Sequence, residues 1–164
     1  MPPTALSNHA IVDSGPTDPM ISVVRYCGVE RSSIVAGIKN GLTVLKRLAF
    51  EIGFEPRRAV VIYKNAQPTT VTVEVGIPIP EGLAYRNTGE FKSGRTPGGP
   101  ALRSPAVAPG PTAIAATDEL RRTAKEEGLL HEPYWWQVFE DTGDLDWADE
   151  ASDVNLPVSV PDAS

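Results

Sequence analysis

The feature of this sequence that most restricts its fold is an internal duplication. One helical pattern ends at Glu51-Ile52-Gly53 and a second at Glu127-Gly128-Leu129. Each is followed by a proline, Pro56 or Pro133, and then by a short strand-like run, Val61-Ile62-Tyr63 in one half and Gln137-Val138-Phe139 in the other. Similar endings close the two halves, Val75-Gly76-Ile77-Pro78 and Val154-Asn155-Leu156-Pro157. The offset drifts from 75 residues (Gly53 to Gly128) to 79 (Val75 to Val154), as loop insertions produce. Two β-α-β-β units related by a pseudo-twofold axis are the economical reading. Neither unit buries its own sheet, so the two are expected to fuse around one core. The predicted class is α+β: one antiparallel sheet with the helices on one face and a groove on the other.

Local patterns set the expected boundaries. Residues 1–19 are rich in Pro, Ser and Asp without a period, and read as a flexible tail. Repeat one spans 20–80. Its strand at Ile21–Tyr26 leads to a helix capped at Ser32-Ser33, with Ile34, Ile38, Leu42, Leu45, Leu48, Ala49 and Ile52 on one face. Gly53 is placed as a C-cap glycine. Gly37 and Gly41 each cost a helix about 1 kcal/mol, which close packing on the sheet would justify. Strands at Ala59–Tyr63 and Thr70–Val75 follow. Residues 81–99 read as a glycine-rich loop; they lack the Gly-Lys-Ser/Thr ending of a phosphate loop. Repeat two spans 100–158, with strands at 101–107, after Pro133 and at 154–158 and a helix at 112–125. Residues 159–164 form a tail.

Composition narrows the function classes. A chain of 164 residues with 41% hydrophobic content makes one ordinary domain. A net charge of −6 argues against a nucleic-acid partner, which needs a basic face. From Glu126 to Ser164 there are eleven acidic residues and no Lys or Arg, giving a solvated acidic end. The single Cys27 excludes an internal disulfide and suits a reducing cytoplasm. The two histidines, His9 and His131, are too few and too far apart for a metal site, and no cofactor motif is present. No apolar run is long enough to span a membrane.

The candidate binding residues lie on the strand after Pro133. Alternation sends Trp135, Gln137 and Phe139 to one face and Trp136, Val138 and Glu140 to the other. Both faces carry large apolar groups, so something must cover each. The groove is assigned Trp135, Gln137 and Phe139, with Val61 and Tyr63 from the partner strand; Trp136 and Val138 go to the helix side. Aromatic rings give flat apolar area and attract cations over their faces. Glu74 alternates away from Val71, Val73 and Val75, and is placed near the groove as a counter-ion. Buried there without a cation, its pKa would rise.

The order Tyr134-Trp135-Trp136-Gln137-Val138-Phe139-Glu140-Asp141, after an Ala-rich helix opening at Gly110-Pro111, resembles the second half of GyrI-like small-molecule-binding domains. These are the effector-binding domains of AraC-type and MerR-type multidrug regulators. The first half is similar through its long helix, Ala59–Tyr63 and Val73-Glu74-Val75-Gly76-Ile77-Pro78, so the match covers about residues 20–158. The resemblance implies an aromatic groove between the repeats that takes flat, often cationic, molecules. Family members commonly carry Glu-X-Tyr where this chain has Gln137-Val138-Phe139, and in a subset that hydrolyses cyclopropane-bearing toxins the glutamate is linked with catalysis. Gln137 cannot act as a general base and Phe139 lacks the hydroxyl, so no catalytic residue is assigned.

The expected function is a stand-alone cytoplasmic domain that sequesters or senses small apolar or cationic aromatic compounds. Counting the tail and both repeats leaves no room for a helix-turn-helix, so no direct nucleic-acid contact is expected. Two alternatives stand. One is a hydrolase of strained electrophilic toxins, with Glu74 or Glu140 as base. The other is a gyrase-inhibitor-like protein whose acidic C-terminal surface meets a basic enzyme.

Overall fold

The computed structural model describes residues 11–83, 89–140 and 151–161. Residues 1–10 and 162–164 of the expected tails, 84–88 of the expected loop, and Asp141 lie outside them.

The two long helical patterns fold as read. Helix α1 is Arg31–Ile52 and buries Ile34, Val35, Ile38, Leu42, Leu45 and Ala49. Its start differs from the expectation: Glu30 is the N-cap, without a side-chain bond, and Ser33 Oγ instead accepts the Gly28 N–H at 2.9 Å. Gly53 closes it in the left-handed region, φ 107°, with its N–H donating to the Ala49 carbonyl at 2.8 Å. Gly41 has the packing reason expected of it. A Cβ there would stand 3.1 Å from methyls of Val23 and Val75, so the missing side chain lets α1 press onto the sheet. Helix α2, Pro111–Glu126, is shorter and buries Ala113, Thr117, Leu120 and Ala124.

Among the described residues nine strands form one antiparallel sheet: β1 (Ile11–Asp13), β2 (Pro19–Gly28), β3 (Ala59–Lys64), β4 (Thr70–Pro78), β5 (Lys92–Arg95), β6 (Pro100–Arg103), β7 (Leu130–His131), β8 (Trp135–Phe139) and β9 (Asn155–Ser159). The order is β1-β6-β9-β8-β3-β4-β2-β5, with β7 added on β9. This order is a palindrome of the two repeats. Repeat one reads β3-β4-β2 outward from the centre and repeat two reads β8-β9-β6. At the seam Val61 pairs with Gln137, its own equivalent in the other unit, so the pseudo-twofold axis passes through that pair.

Besides β7, two edge strands were not expected. β1 comes from the segment read as tail and pairs Ile11–Asp13 with Pro100–Leu102; β5 comes from the segment read as loop and pairs with Pro19–Ser22. Both are short, and main-chain pairing holds them in place with little apolar pattern to announce it. The opening strand of repeat two is shorter than expected. Pro105 offers no N–H, pairing ends at Arg103, and Val107 makes only an isolated bridge to Ser152.

The helices cover one face. The main core joins Leu45, Ala49, Leu120 and Ala124 of the helices to Val23, Val61, Tyr63, Val73, Val75, Trp135, Phe139 and Leu156 of the sheet. A smaller cluster on the open face gathers Met20, Val60, Ile62, Ala101 and Trp136. This reverses the expected phase of β8. Paired residues share a face, and Tyr63 pairs with Val73 on one side and Trp135 on the other. Trp135, Gln137 and Phe139 therefore lie under the helices, while Trp136 and Val138 face away. No helix of the described residues is long and apolar enough to cross a membrane.

Candidate functional site

Five of the six expected binding residues, Val61, Tyr63, Trp135, Gln137 and Phe139, come together in one layer across the seam on the helix face. Glu74 does not join them. It pairs with Ile62 on the open face.

The layer is aromatic at one end. The Tyr63 and Trp135 rings stack with centroids 5.2 Å apart and planes 7° from parallel. Both are fully buried. Over the same indole lies the guanidinium of Arg121 from α2, its Cζ 5.1 Å from the ring centroid. Such a contact contributes about 0.5–2 kcal/mol, more as water is excluded. Arg121 also reaches Asp118 at 3.4 Å. Sequence reasoning missed Arg121, although the repeat contains the signal. With Gly53 matched to Gly128, Arg121 corresponds to Lys46 and sits one position after the buried Leu120, as Lys46 sits after the buried Leu45.

Gln137 lies at the centre, fully buried, and each part of its amide is used. Its Oε1 accepts the Tyr63 hydroxyl at 2.6 Å. Its Nε2 donates to the carbonyls of Val107 and Ser152, each at 3.0 Å. A carboxylate has no hydrogen for those two carbonyls, which gives a physical reason for an amide here. Burial, and after it the Cys27 charge, pushes the Tyr63 hydroxyl far above its ordinary pKa, so it remains a donor. One polar atom in the layer has no partner: the buried Trp135 Nε1. An unmet buried donor costs about 1–3 kcal/mol.

A groove of about 780 Å³ is lined by the second half of α2 and the segment that follows it, Arg121 included. Arg121, Arg122 and Lys125 line it with Leu129, Leu130 and His131; Asp118 is its one carboxylate. In a chain of net charge −6 this is a local basic patch.

The open face also holds a groove, of about 650 Å³, on the side where one was expected. Its floor is Val60, Trp136 and Val138, the set assigned to the helix side, and not Trp135 and Phe139. Four of its five charges answer one another: Arg58 meets Asp18 at 2.8 Å, and Arg103 reaches Asn155 at 2.7 Å and Asp153 at 4.0 Å; the fifth is Glu140. Further along this face Glu74 takes Lys64 and Ser22, each at 2.6 Å. Burial pushes its carboxyl up, but those hydrogen bonds and the charges of Lys64 and Lys92 outweigh it and hold the pKa below its ordinary value. The rise expected for an unpaired Glu74 does not occur, because Lys64 supplies the cation. Cys27 is buried, and its thiol is pushed up by burial against a smaller pull from Arg25. Among the described residues no group of His, Cys, Asp or Glu could hold a metal ion.

No family model matches the sequence, and no curated protein matches it. Solved structures do. The C-terminal domain of EcmrR superposes with a TM-score of 0.71 at 15% identity, covering 93% of this chain and 98% of that one. The chain has the fold of that domain. It spans 57% of the longer EcmrR chain seen with DNA, at a TM-score of 0.70 and 15% identity. A hydrolase encoded by lin2189 of Listeria innocua is similar at a TM-score of 0.57 and 11% identity, over 93% of this chain and 92% of that chain. At such identities it is the architecture that is shared.

Proposed function

We propose that this domain binds planar aromatic small molecules on the helix face of the seam, against Trp135, Tyr63 and Phe139, with Val61 and Gln137 beneath. The observation that carries the reading is the Tyr63–Trp135 stack, which already holds a flat guanidinium over the indole. A flat ligand takes the place that Arg121 fills in the closed layer. The indole Nε1, unpartnered and buried, gives such a ligand a donor to satisfy. The open-face groove lacks both features: among the described residues no guanidinium lies over its indole, Trp136, and the Nε1 of that indole is not a buried atom without a partner.

An apolar ligand gains from this layer directly. A cationic one must compete with Arg121 for the same ring. Because Arg121 belongs to α2, a ligand that displaces it acts on that helix, which gives sensing a route beyond simple sequestration. Glu74 has no part in this site, being on the other face with Lys64. Hydrolysis finds no base in the layer, since Gln137 cannot ionise and Glu140, just past β8, is exposed and lines the open-face groove. The single buried thiol fits action in a reducing cytoplasm.

The test is titration with naphthalene methanol, a neutral planar probe, followed by calorimetry and by the ring proton signals of Tyr63 and Trp135. Saturable binding that moves those signals, and weakens in Trp135→Phe, is expected. Binding that moves only signals of the Trp136 face would transfer the site to the open groove and overturn the proposal.

A further inference from the structure

The charge of the ligand follows from what surrounds the indole, and here the inference rests on the site proposed above. Two donors meet at Trp135. Its Nε1–H is buried without an acceptor, and the Arg121 guanidinium lies 5.1 Å from the ring centroid. Arg121 has Asp118 at 3.4 Å and the Pro133 carbonyl at 3.5 Å, one carboxylate against the three cations of the adjoining groove, and Nε1 has no acceptor. The Gln137 oxygen is taken by the Tyr63 hydroxyl, and Glu74 is on the far face beside Lys64. The groove that Arg121 lines adds Arg122 and Lys125, with Leu129 and Leu130 as apolar wall.

We propose that Arg121 sets the specificity of this site, and that its ligands are planar aromatic anions such as carboxylates or sulfonates. The ring enters where Arg121 now covers the indole, with Leu129 of the adjoining groove as wall. The anionic group accepts from the Arg121 fork, a charge-assisted contact of the stronger kind, and lies within the field of Arg122 and Lys125. An aromatic cation meets the opposite situation. It must enter the same place beside three cations, with Asp118, already engaged by Arg121, as the groove's one carboxylate. The acidic balance of the whole chain does not decide this, because side chains within a few ångströms outweigh charges beyond a Debye length.

A matched series tests it: naphthalene carboxylate, naphthalene methanol and naphthylmethylammonium, each titrated into the full chain by calorimetry. Wild type should bind the anion most tightly and the cation least. Arg121→Gln should weaken the anion about tenfold, the worth of a charge-assisted contact, and should tighten the cation. Arg121→Lys, which keeps the charge, should retain the anion-first order. If wild type prefers the cation, or if Arg121→Gln leaves the order unchanged, this inference falls while the binding site stands. If none of the three probes binds wild type, both fall together.

Discussion

The two halves of the molecule share a backbone and differ in what they place at its centre. In register they match closely. Val60 opposite Gly76 in one half is answered by Trp136 opposite Asn155 in the other, and Ile21 opposite Ile77 by Leu102 opposite Leu156. Leu45 and Ala49 of α1 have buried counterparts in Leu120 and Ala124 of α2. Each half even acquires one extra edge strand, β5 or β1. The layer at the axis breaks the likeness: Ala59, Val61 and Tyr63 stand opposite Phe139, Gln137 and Trp135. A small residue faces a large one and an aliphatic faces an amide. Symmetry survives where helix packing and main-chain pairing decide the residue. It is lost where the halves meet, and there the layer is asymmetric.

The most disruptive way to test that asymmetry is Trp135→Ala, which gives repeat two the residue that repeat one has at the equivalent position, Ala59. The indole is fully buried, so the loss should be about 3–5 kcal/mol in urea unfolding. A loss below about 1 kcal/mol would mean that the layer collapses easily and that its packing is not what distinguishes the halves.

Next comes the residue on the axis. Gln137→Val matches it to Val61 and strips partners from the Tyr63 hydroxyl and from the carbonyls of Val107 and Ser152. A cost of about 1–3 kcal/mol is expected, with part recovered when Tyr63→Phe is added, because the orphaned hydroxyl is then gone. Simple additivity of the two changes would count against the network. Gln137→Glu is the sharper variant. A buried carboxyl facing two carbonyls is favoured in its protonated form, so its folded pKa rises above the unfolded value. Stability would then be full below the unfolded pKa and lost as pH rises through the folded one. Denaturant midpoints higher in acid than at neutrality, relative to wild type, are expected.

The duplication, both helices and the central strands were legible because each rests on a period: three to four residues for the helices, two for β4. The glycine at position 41 was legible for the same reason, since it falls on the buried face of α1. The phase of β8 was not. Trp135-Trp136-Gln137-Val138-Phe139 is apolar on both faces, so alternation separates the two sets without telling which meets the helices. Pairing to Val73 and Val75 through β3 carries that information, and it is long-range. Glu74 was assigned to the site through the same phase error. Its alternation away from the valines was right, and it was the groove residues that belonged with the valines. Arg121 was missed for a different reason. A charged residue on a helix ordinarily reads as solvated surface, and only the indole beneath it gives it another role.

The smallest expected effect lies on the open face, where the halves exchange charges. Repeat one has Lys64, Glu74 and Ser22 where repeat two has Glu140, Asp153 and Arg103. The Glu74 side chain is only 13% exposed against 44% for Lys64, and its bonds to Lys64 and Ser22 are short; Arg103 and Asp153 are 4.0 Å apart and both well exposed. Lys64→Met should therefore cost about 0.5–1 kcal/mol at neutral pH, toward the upper end for a partly exposed pair. Its pH dependence is more telling. The depressed pKa of Glu74 gives stability that is present above the ordinary value of 4.5 and is lost as pH falls through the folded value. Without Lys64, burial acts on the carboxyl with less opposition and its folded pKa rises. The variant should then begin to unfold at a higher pH than wild type, while Arg103→Met should leave the acid midpoint nearly where it was. Equal shifts for the two variants would mean that the open face is as symmetric in its energetics as it is in its backbone, and that the asymmetry is confined to the layer under the helices.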